Sequence, residues 1–162
     1  MSQSQYSARL FDAICNENLI SVKFCLQNGA NINAKDSRFG RSPLHIAAVC
    51  RNLEIVKILI QNGANINAKN NHYGRSPLHY AALNGNLEIV KILIQNGAHL
   101  DIKDRDNETP LDCARVLTWV FGDSNIEDYL KKAEGNAKNK TEEEARKNAE
   151  KEANNSSRMT YT

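Results

Sequence analysis

One stretch of twelve residues occurs twice in this chain without a change, and its two copies lie 34 positions apart. Residues 53–64 and 87–98 both read LEIVKILIQNGA. The same spacing relates residues 40–45 to 74–79, which both read GRSPLH. A fixed period of this length predicts a stack of small units, because each unit leaves an apolar face that only its neighbours can cover.

The first half of each unit is predicted to be a short helix. Ser42 and Ser76 are suited to cap it, since a serine hydroxyl accepts a backbone N–H that has no partner inside the helix. Proline follows each serine, at the first helical position where no N–H is needed. The predicted helices cover about 44–48 and 78–82, and their paired alanines let the next unit approach closely.

The second half is predicted to be a longer helix over residues 53–61. The spacing of its apolar residues predicts one buried face, made of Leu53, Val56, Leu59 and Ile60. Gly63 and Gly97 follow the two copies of this helix, and we expect both to end it in the left-handed conformation. The polar, turn-rich residues 65–75 that follow predict an extended finger with a turn at its tip.

Three motifs together resemble those of ankyrin repeats: Ser-Pro-Leu-His-x-Ala-Ala, Leu-Glu-Ile-Val-Lys-x-Leu-Ile and Gly-Ala-x-Ile-Asn-Ala-Lys. The resemblance implies an all-α repeat solenoid of helix–turn–helix units joined by β-hairpin-like fingers. It also implies a concave surface of fingers and first helices that binds another protein, without catalysis. The predicted ankyrin domain spans 6–133, in units of about 6–38, 39–72, 73–105 and 106–133, and a charged tail follows at 134–162.

The chain departs from the family pattern at several turns. The first two fingers carry one extra residue, and Asn107 stands where the third finger would have glycine. Arg51 and Glu17 replace the turn glycine found at Gly85, and each is expected to cost about 1 kcal/mol if its φ is positive. The first unit has Ala-Arg-Leu-Phe at 8–11 in place of Ser-Pro-Leu-His, as expected of a capping repeat.

The last unit is about three residues longer before its second helix, and it contains the single tryptophan, Trp119. We interpret this segment as a bulky apolar lid that seals the end of the stack. The alternative is a partner pocket at Trp119 and Phe121.

The tail has the opposite character, since no large apolar residue follows Lys131 for more than twenty positions. A solvated helix is predicted from about 141 to 153, capped by Thr141 with Glu144, and disorder from 154 to 162. Glu143 and Lys147 form a favourable pair at helical spacing.

Nothing in the sequence predicts catalysis, a cofactor or a metal. Phosphate-binding loops and hydrolase motifs are absent. By the resemblance, His45 and His79 are structural and bond to the preceding serine and to nearby backbone. His72 and His99 have no cysteine or carboxylate at metal-ligand spacing. The acidic third finger lacks the glycine and the final glutamate of a calcium-binding loop.

The resemblance places the variable, outward positions on the finger tips. There an aromatic pair and two rows of cations recur one period apart, and exposed aromatic and arginine residues are common interface hot spots. The predicted partner is therefore a protein with an acidic, partly apolar surface. The alternative is that Phe39 and Tyr73 pack against each other and stiffen the longer fingers. The predicted partner-binding residues are Lys35, Arg38, Phe39, Arg41, Lys69, His72, Tyr73, Arg75, Lys103 and Arg105.

The overall charge of +2 is too small for a general nucleic-acid or membrane binder. Residues 1–98 carry a net +5 and residues 99–162 a net −3, so nucleic-acid contact by the basic half stays an alternative, as does structural self-association. The chain starts without a secretory signal and has no transmembrane stretch. Its four cysteines show no pairing pattern, so we expect free thiols in a monomeric, cytoplasmic protein.

Overall fold

A computed structural model describes the backbone of residues 1–159 and the side chains as far as residue 152. This part of the chain contains eight helices and no strand, in four helix–turn–helix pairs. The pairs are α1 (Gln3–Cys15) with α2 (Leu19–Gln27), α3 (Pro43–Val49) with α4 (Leu53–Gln61), α5 (Pro77–Leu83) with α6 (Leu87–Gln95), and α7 (Pro110–Phe121) with α8 (Asn125–Met159).

The pairs stack in sequence order. The first helices pack one on the next, from α1 to α3, α5 and α7, and the second helices form a parallel layer from α2 to α8. The core runs along the seam between these layers. The predicted all-α repeat solenoid is therefore confirmed.

Close stacking of the first helices depends on their caps and their alanines. Ser42 and Ser76 are the N-cap residues of α3 and α5, and proline follows each of them, as predicted. The alanine pairs at 47–48 and 81–82 are completely buried. Their small side chains leave room for the neighbouring helix, so the short first helices can pack backbone to backbone.

The second helices have the predicted limits, but the predicted buried face is partly wrong. Ile55, Val56 and Leu59 are completely buried in α4, whereas Leu53 and Ile60 are half-buried. The reason is that α4 packs against three helices: α3 of its own pair, and α2 and α6 of the neighbouring pairs. Because of these contacts, Ile55 belongs to the buried face, although the spacing of the apolar residues did not predict it.

The turns between helices adopt the predicted left-handed geometry. Gly63 and Gly97 have φ angles of 86° and 92°. Glu17, Arg51 and Asn107 also have positive φ, at 54°, 60° and 65°. The expectation that these three residues occupy glycine positions is confirmed.

The predicted lid at the C-terminal end is wrong. Trp119 is 89% exposed and Phe121 is 75% exposed, so neither covers the stack. Ile126 and Leu130, one turn apart near the start of α8, are almost completely buried and take that role. They do so because α8 packs against both α7 and α6.

The tail forms one helix that starts earlier than predicted. Thr141 lies inside α8 and donates its hydroxyl to the carbonyl of Ala137 at 3.0 Å, so it does not begin a helix. The predicted Glu143–Lys147 pair is present, at 2.6 Å. Disorder was expected from residue 154, whereas α8 continues to Met159, and residues 160–162 lie outside the described part. The domain limits stay a prediction, and α8 crosses the limit between 133 and 134.

No helix within residues 1–159 is both long enough and apolar enough to cross a membrane.

Candidate partner-binding surface

Three fingers project between consecutive helix pairs, and one backbone hydrogen bond closes the base of each. The amides of Asp36, Asn70 and Asp104 donate to the carbonyls of Arg41, Arg75 and Glu108, each at 2.9 Å. The first two bonds span five residues and the third spans four. The extra residue predicted in the first two fingers is therefore confirmed.

The fingers are joined to one another through their backbones. The carbonyl of Phe39 accepts the amides of Asn71 and His72 at 3.1 and 3.2 Å, and the carbonyl of Tyr73 accepts that of Arg105 at 2.9 Å. Gly40 is required at the first junction, because its φ is 63° and a Cβ atom there would collide with the side chain of Asn71. The three tips form one connected surface.

A row of lysines also links the fingers. The Nζ atom of Lys35 donates to Oδ1 of Asn71 at 2.6 Å and to the carbonyl of Lys69 at 3.3 Å. The Nζ atom of Lys69 donates in turn to the carbonyl of Lys103. Two of the three predicted lysines thus hold the next finger in place while remaining exposed.

Arg41, at the base of the first finger, is bound within that finger. Its Nε atom lies 2.8 Å from Oδ2 of Asp36, and Oδ1 of Asp36 accepts the amide of Phe39 at 2.7 Å. Burial opposes ionisation of Asp36, but the amide bonds and the guanidinium of Arg41 keep the pKa of this carboxyl below its ordinary value. Asp36 is therefore ionised at neutral pH and neutralises much of the charge of Arg41.

The arginine of the second finger reaches across to the third. The equivalent of Asp36 is Asn70, whose Oδ1 atom accepts the amide of Arg75 at 2.7 Å but carries no charge. Nε of Arg75 lies 2.9 Å from the fully buried carboxylate of Asp104, and Nη2 lies 3.4 Å from Glu108. Despite its burial, Asp104 has a lowered pKa because of Arg75 and two backbone amides.

Three rings run across the first two finger tips, and we name Phe39, His72 and Tyr73 the finger strip. His72 lies between the other two, with ring centroids 5.6 Å from Phe39 and 4.3 Å from Tyr73. The guanidinium groups of Arg38 and Arg41 lie 4.9 and 4.8 Å from the ring of Phe39. Phe39 and Tyr73 therefore support each other through His72 and not by direct packing.

Some residues that shape this surface were missed by sequence reasoning. Asp36, Asn70 and Asp104 recur at the 34-residue period and orient the arginines, so the repeat contained the signal. A groove of about 540 Å³ between the third finger and α8, lined by Leu100 and Ala137 among others, was also missed. On the α8 side the groove is lined mainly by residues before 141, where no helix was predicted.

The predicted structural role of the two core histidines is confirmed. Nδ1 of His45 accepts the amide of Ser42 at 3.0 Å, so Nε2 carries the proton and donates to the carbonyl of Arg75 at 2.9 Å. His79 repeats this arrangement with Ser76 and the carbonyl of Glu108. Burial lowers the pKa of His45 to about 4 and also lowers that of His79, so both rings are neutral at physiological pH.

The described part of the chain contains no group of three or more histidine, cysteine, aspartate or glutamate side chains that could hold a metal ion. Both ring nitrogens of each buried histidine are engaged with serine or backbone groups.

A family model described as Ankyrin repeats (3 copies) matches residues 10–104 and 68–142. The two matches together cover far more than half of the chain. The chain belongs to the ankyrin-repeat family. Ankyrin repeats are generally protein–protein interaction modules and are typically non-enzymatic. No curated protein matches the chain.

Proposed function

We propose that this ankyrin-repeat protein binds an acidic, partly apolar surface of another protein through its fingers. The observation that carries the proposal is the finger strip, in which three rings are already held in contact and are flanked by cations. The proposed contact surface consists of Lys35, Arg38, Phe39, Arg41, Lys69, His72, Tyr73, Arg75, Lys103 and Arg105.

These residues divide into two roles. Lys35, Lys69 and Arg75 link neighbouring fingers, and Arg41 is bound within its own finger, so these four shape the surface more than they offer free charge. Such a preorganised surface loses little side-chain conformational entropy when a partner binds, so more of the interaction free energy appears as affinity.

The outward-facing members are exposed. Arg38, Lys103 and Arg105 have no ion-pair partner among the described residues, and they favour a partner that carries carboxylates. His72 and Tyr73 are also exposed and supply flat, partly apolar contact area.

The alternative of nucleic-acid binding gains little from this geometry. Binding to a phosphate backbone depends on several free cations, and its affinity falls steeply with salt. Arg41 and Arg75 are already paired with carboxylates, which reduces the positive field of the fingers. A salt series on any captured complex compares the two classes by slope. A nucleic-acid complex is expected to show the steeper logarithmic dependence, because each phosphate contact adds nearly one unit to it.

We also propose that the protein acts in the cytoplasm as a monomeric adaptor. All four cysteines are free thiols, as expected in a reducing compartment.

The test is affinity capture from a cell lysate with mass spectrometry, comparing wild type with Arg38→Glu/Tyr73→Ala/Arg105→Glu. This variant spares Arg41 and Arg75, so the finger bases stay intact. We expect the captured protein to bind at least about tenfold more weakly to the variant, because central aromatic and arginine residues dominate interface energies.

A matched control is Lys23→Glu/Phe24→Ala/Arg51→Glu, which makes the same change in net charge and also truncates one aromatic side chain, away from the fingers. Phe24 is 47% exposed and Tyr73 is 40% exposed, so the two aromatic truncations are comparable. Circular dichroism checks that both variants fold. Equal binding by wild type and the finger variant, or equal loss in both variants, would overturn the proposal.

A further inference from the structure

The first helix of the last unit is longer than those of the two central units. Helix α7 has 12 residues, whereas α3 and α5 have seven each. Residues 117–121 extend it beyond the point at which the other first helices end. Leu117 of this extension packs against the core, but Trp119, Val120 and Phe121 do not, and Ile126 and Leu130 of α8 close the unit without them.

The C-terminal part of α7 carries a set of exposed apolar side chains, which we name the α7 patch: Val116, Trp119, Val120 and Phe121. The first three lie on one side of the helix, since their spacing is three and four residues. Half of the large exposed apolar residues of the described chain fall in this six-residue segment. Contiguous exposed apolar surface of this kind marks interaction sites.

The charges beside the α7 patch are unbalanced. Arg115 is bound by Asp112 at 2.8 Å and lies 3.7 Å from Glu127, and Lys131 lies 2.6 Å from Glu127. Both neighbouring cations are therefore neutralised.

Two carboxylates at the same end have no cation. Asp123 follows the patch directly and accepts the amide of Asn125 at 3.0 Å, and Asp128 accepts the hydroxyl of Ser124 at 2.7 Å. Neither forms an ion pair with a described residue. The α7 patch is therefore an apolar surface with an acidic border, whereas the finger strip has a basic one.

We propose that the α7 patch is a second interaction surface, and that its occupant is a cationic amphipathic helix of another protein. The apolar face of such a helix covers Trp119 and its neighbours, and its lysines or arginines meet Asp123 and Asp128. This site is separate from the finger strip, so either surface can fail its test without affecting the other.

Trp119 is the single tryptophan of the chain, so its fluorescence reports on this surface alone. The probe is a synthetic helical peptide with leucine on one face and lysine on the other. The control peptide has glutamate in place of every lysine. We expect the lysine peptide to shift Trp119 emission to shorter wavelength and to protect it from acrylamide quenching, and we expect the glutamate peptide to do neither.

Two variants locate the binding. Val116→Asn/Val120→Asn keeps the reporter and adds no charge, and we expect it to weaken peptide binding at least about tenfold. Asp123→Asn/Asp128→Asn removes the acidic border, and we expect it to weaken the peptide and to flatten its salt dependence. Ile20→Asn/Phe24→Asn, which changes exposed apolar residues at the other end of the array, is expected to bind as wild type does.

Three results would overturn the proposal. One is an equal response to both peptides, which would mean unspecific apolar contact. Another is a spectral shift with phosphatidylcholine vesicles but not with the lysine peptide, which would point to a lipid surface. The third is a shift on concentrating the protein alone, accompanied by a rise in mass by light scattering, which would assign the patch to a second copy of this chain.

Discussion

The fingers and the α7 patch both bring aromatic rings to the surface, but they hold those rings differently. Phe39 lies between two guanidinium groups and against His72, and His72 is in turn in contact with Tyr73. Trp119 and Phe121 have no comparable ring or cation contact among the described residues and are largely exposed. In the repeated part of the chain, equivalent residues of neighbouring units support one another. Within residues 1–159 no finger follows the third one, so the rings of the last unit lack this support.

The capping residues show the same difference. His45 and His79 each cap their own helix and also donate to a carbonyl of the next finger. The last unit has no next finger, and Asp112 stands in place of histidine. Its Oδ2 atom accepts the amide and the hydroxyl of Thr109 at 2.9 and 2.7 Å, which caps the helix without a link to another unit.

The largest expected effect concerns which residues close the C-terminal end. Leu130→Ala removes a side chain that is 1% exposed, so we expect a loss of about 2–5 kcal/mol in the free energy of unfolding. Trp119→Ala removes a larger but exposed side chain, and we expect a change within about 0.5 kcal/mol. Urea unfolding followed by circular dichroism measures both. A greater loss from Trp119→Ala would restore the lid interpretation.

The next effect is a pH dependence that belongs to the histidine-capped units. The pKa of His45 is about 4 in the folded chain and 6.5 in the unfolded chain, so between these values the unfolded chain binds a proton that the folded chain does not. Stability therefore falls as the pH drops from 6.5 towards 4, by up to about 3 kcal/mol for this residue. His79 adds to the loss in the same direction.

His45→Asp copies the cap of the last unit and is the matched variant. The pKa of Asp112 is lowered by its bonds to Thr109, so an aspartate in this role loses its stabilising charge only at more acidic pH. We expect this variant to be less stable at pH 7, since it lacks the bond to Arg75, and to have a shallower slope between pH 6.5 and 5. A wild-type unfolding free energy that is constant over that range would contradict the assigned proton states.

The smallest effect concerns a difference between the two nearly identical central units. Arg51 and Gly85 occupy equivalent turns with φ of 60° and 70°, a conformation that only glycine adopts without strain. We expect Arg51→Gly to raise the free energy of unfolding by about 1 kcal/mol, measured as a higher thermal midpoint. Gly85→Ala is expected to lower it by a similar amount, because alanine is strained at this positive φ. The added Cβ atom would cause no clash, since it would meet only Leu117, at 3.4 Å. Changes of the same sign in both variants would contradict the strain argument.

The repeated part of this fold follows from its sequence because each feature occurs more than once. The 34-residue period locates the caps at Ser42 and Ser76, the limits of α4 and α6, and the left-handed turns. The last unit has no second copy. Its apolar residues offer two candidate seals, around Trp119 and around Leu130, and spacing within one helix does not reveal which of them faces α6.

The candidate site was predictable to a smaller degree. The register of Phe39 with Tyr73 follows from the period, but the insertion of His72 between them depends on how adjacent fingers join. The consequence of having Asn70 in place of an aspartate was also not predictable. Asn70 offers Arg75 no charge, and only the structure shows that Arg75 pairs with Asp104 of the next finger instead.

The central claim is that the fingers recognise a protein partner. Backbone hydrogen exchange of the protein, alone and with the captured partner, tests it most directly because it maps the contact along the whole chain. The account predicts slower exchange in residues 35–41, 69–75 and 103–108, with little change in α2, α4 and α6. Protection confined to those three helices, with unchanged fingers, would contradict it.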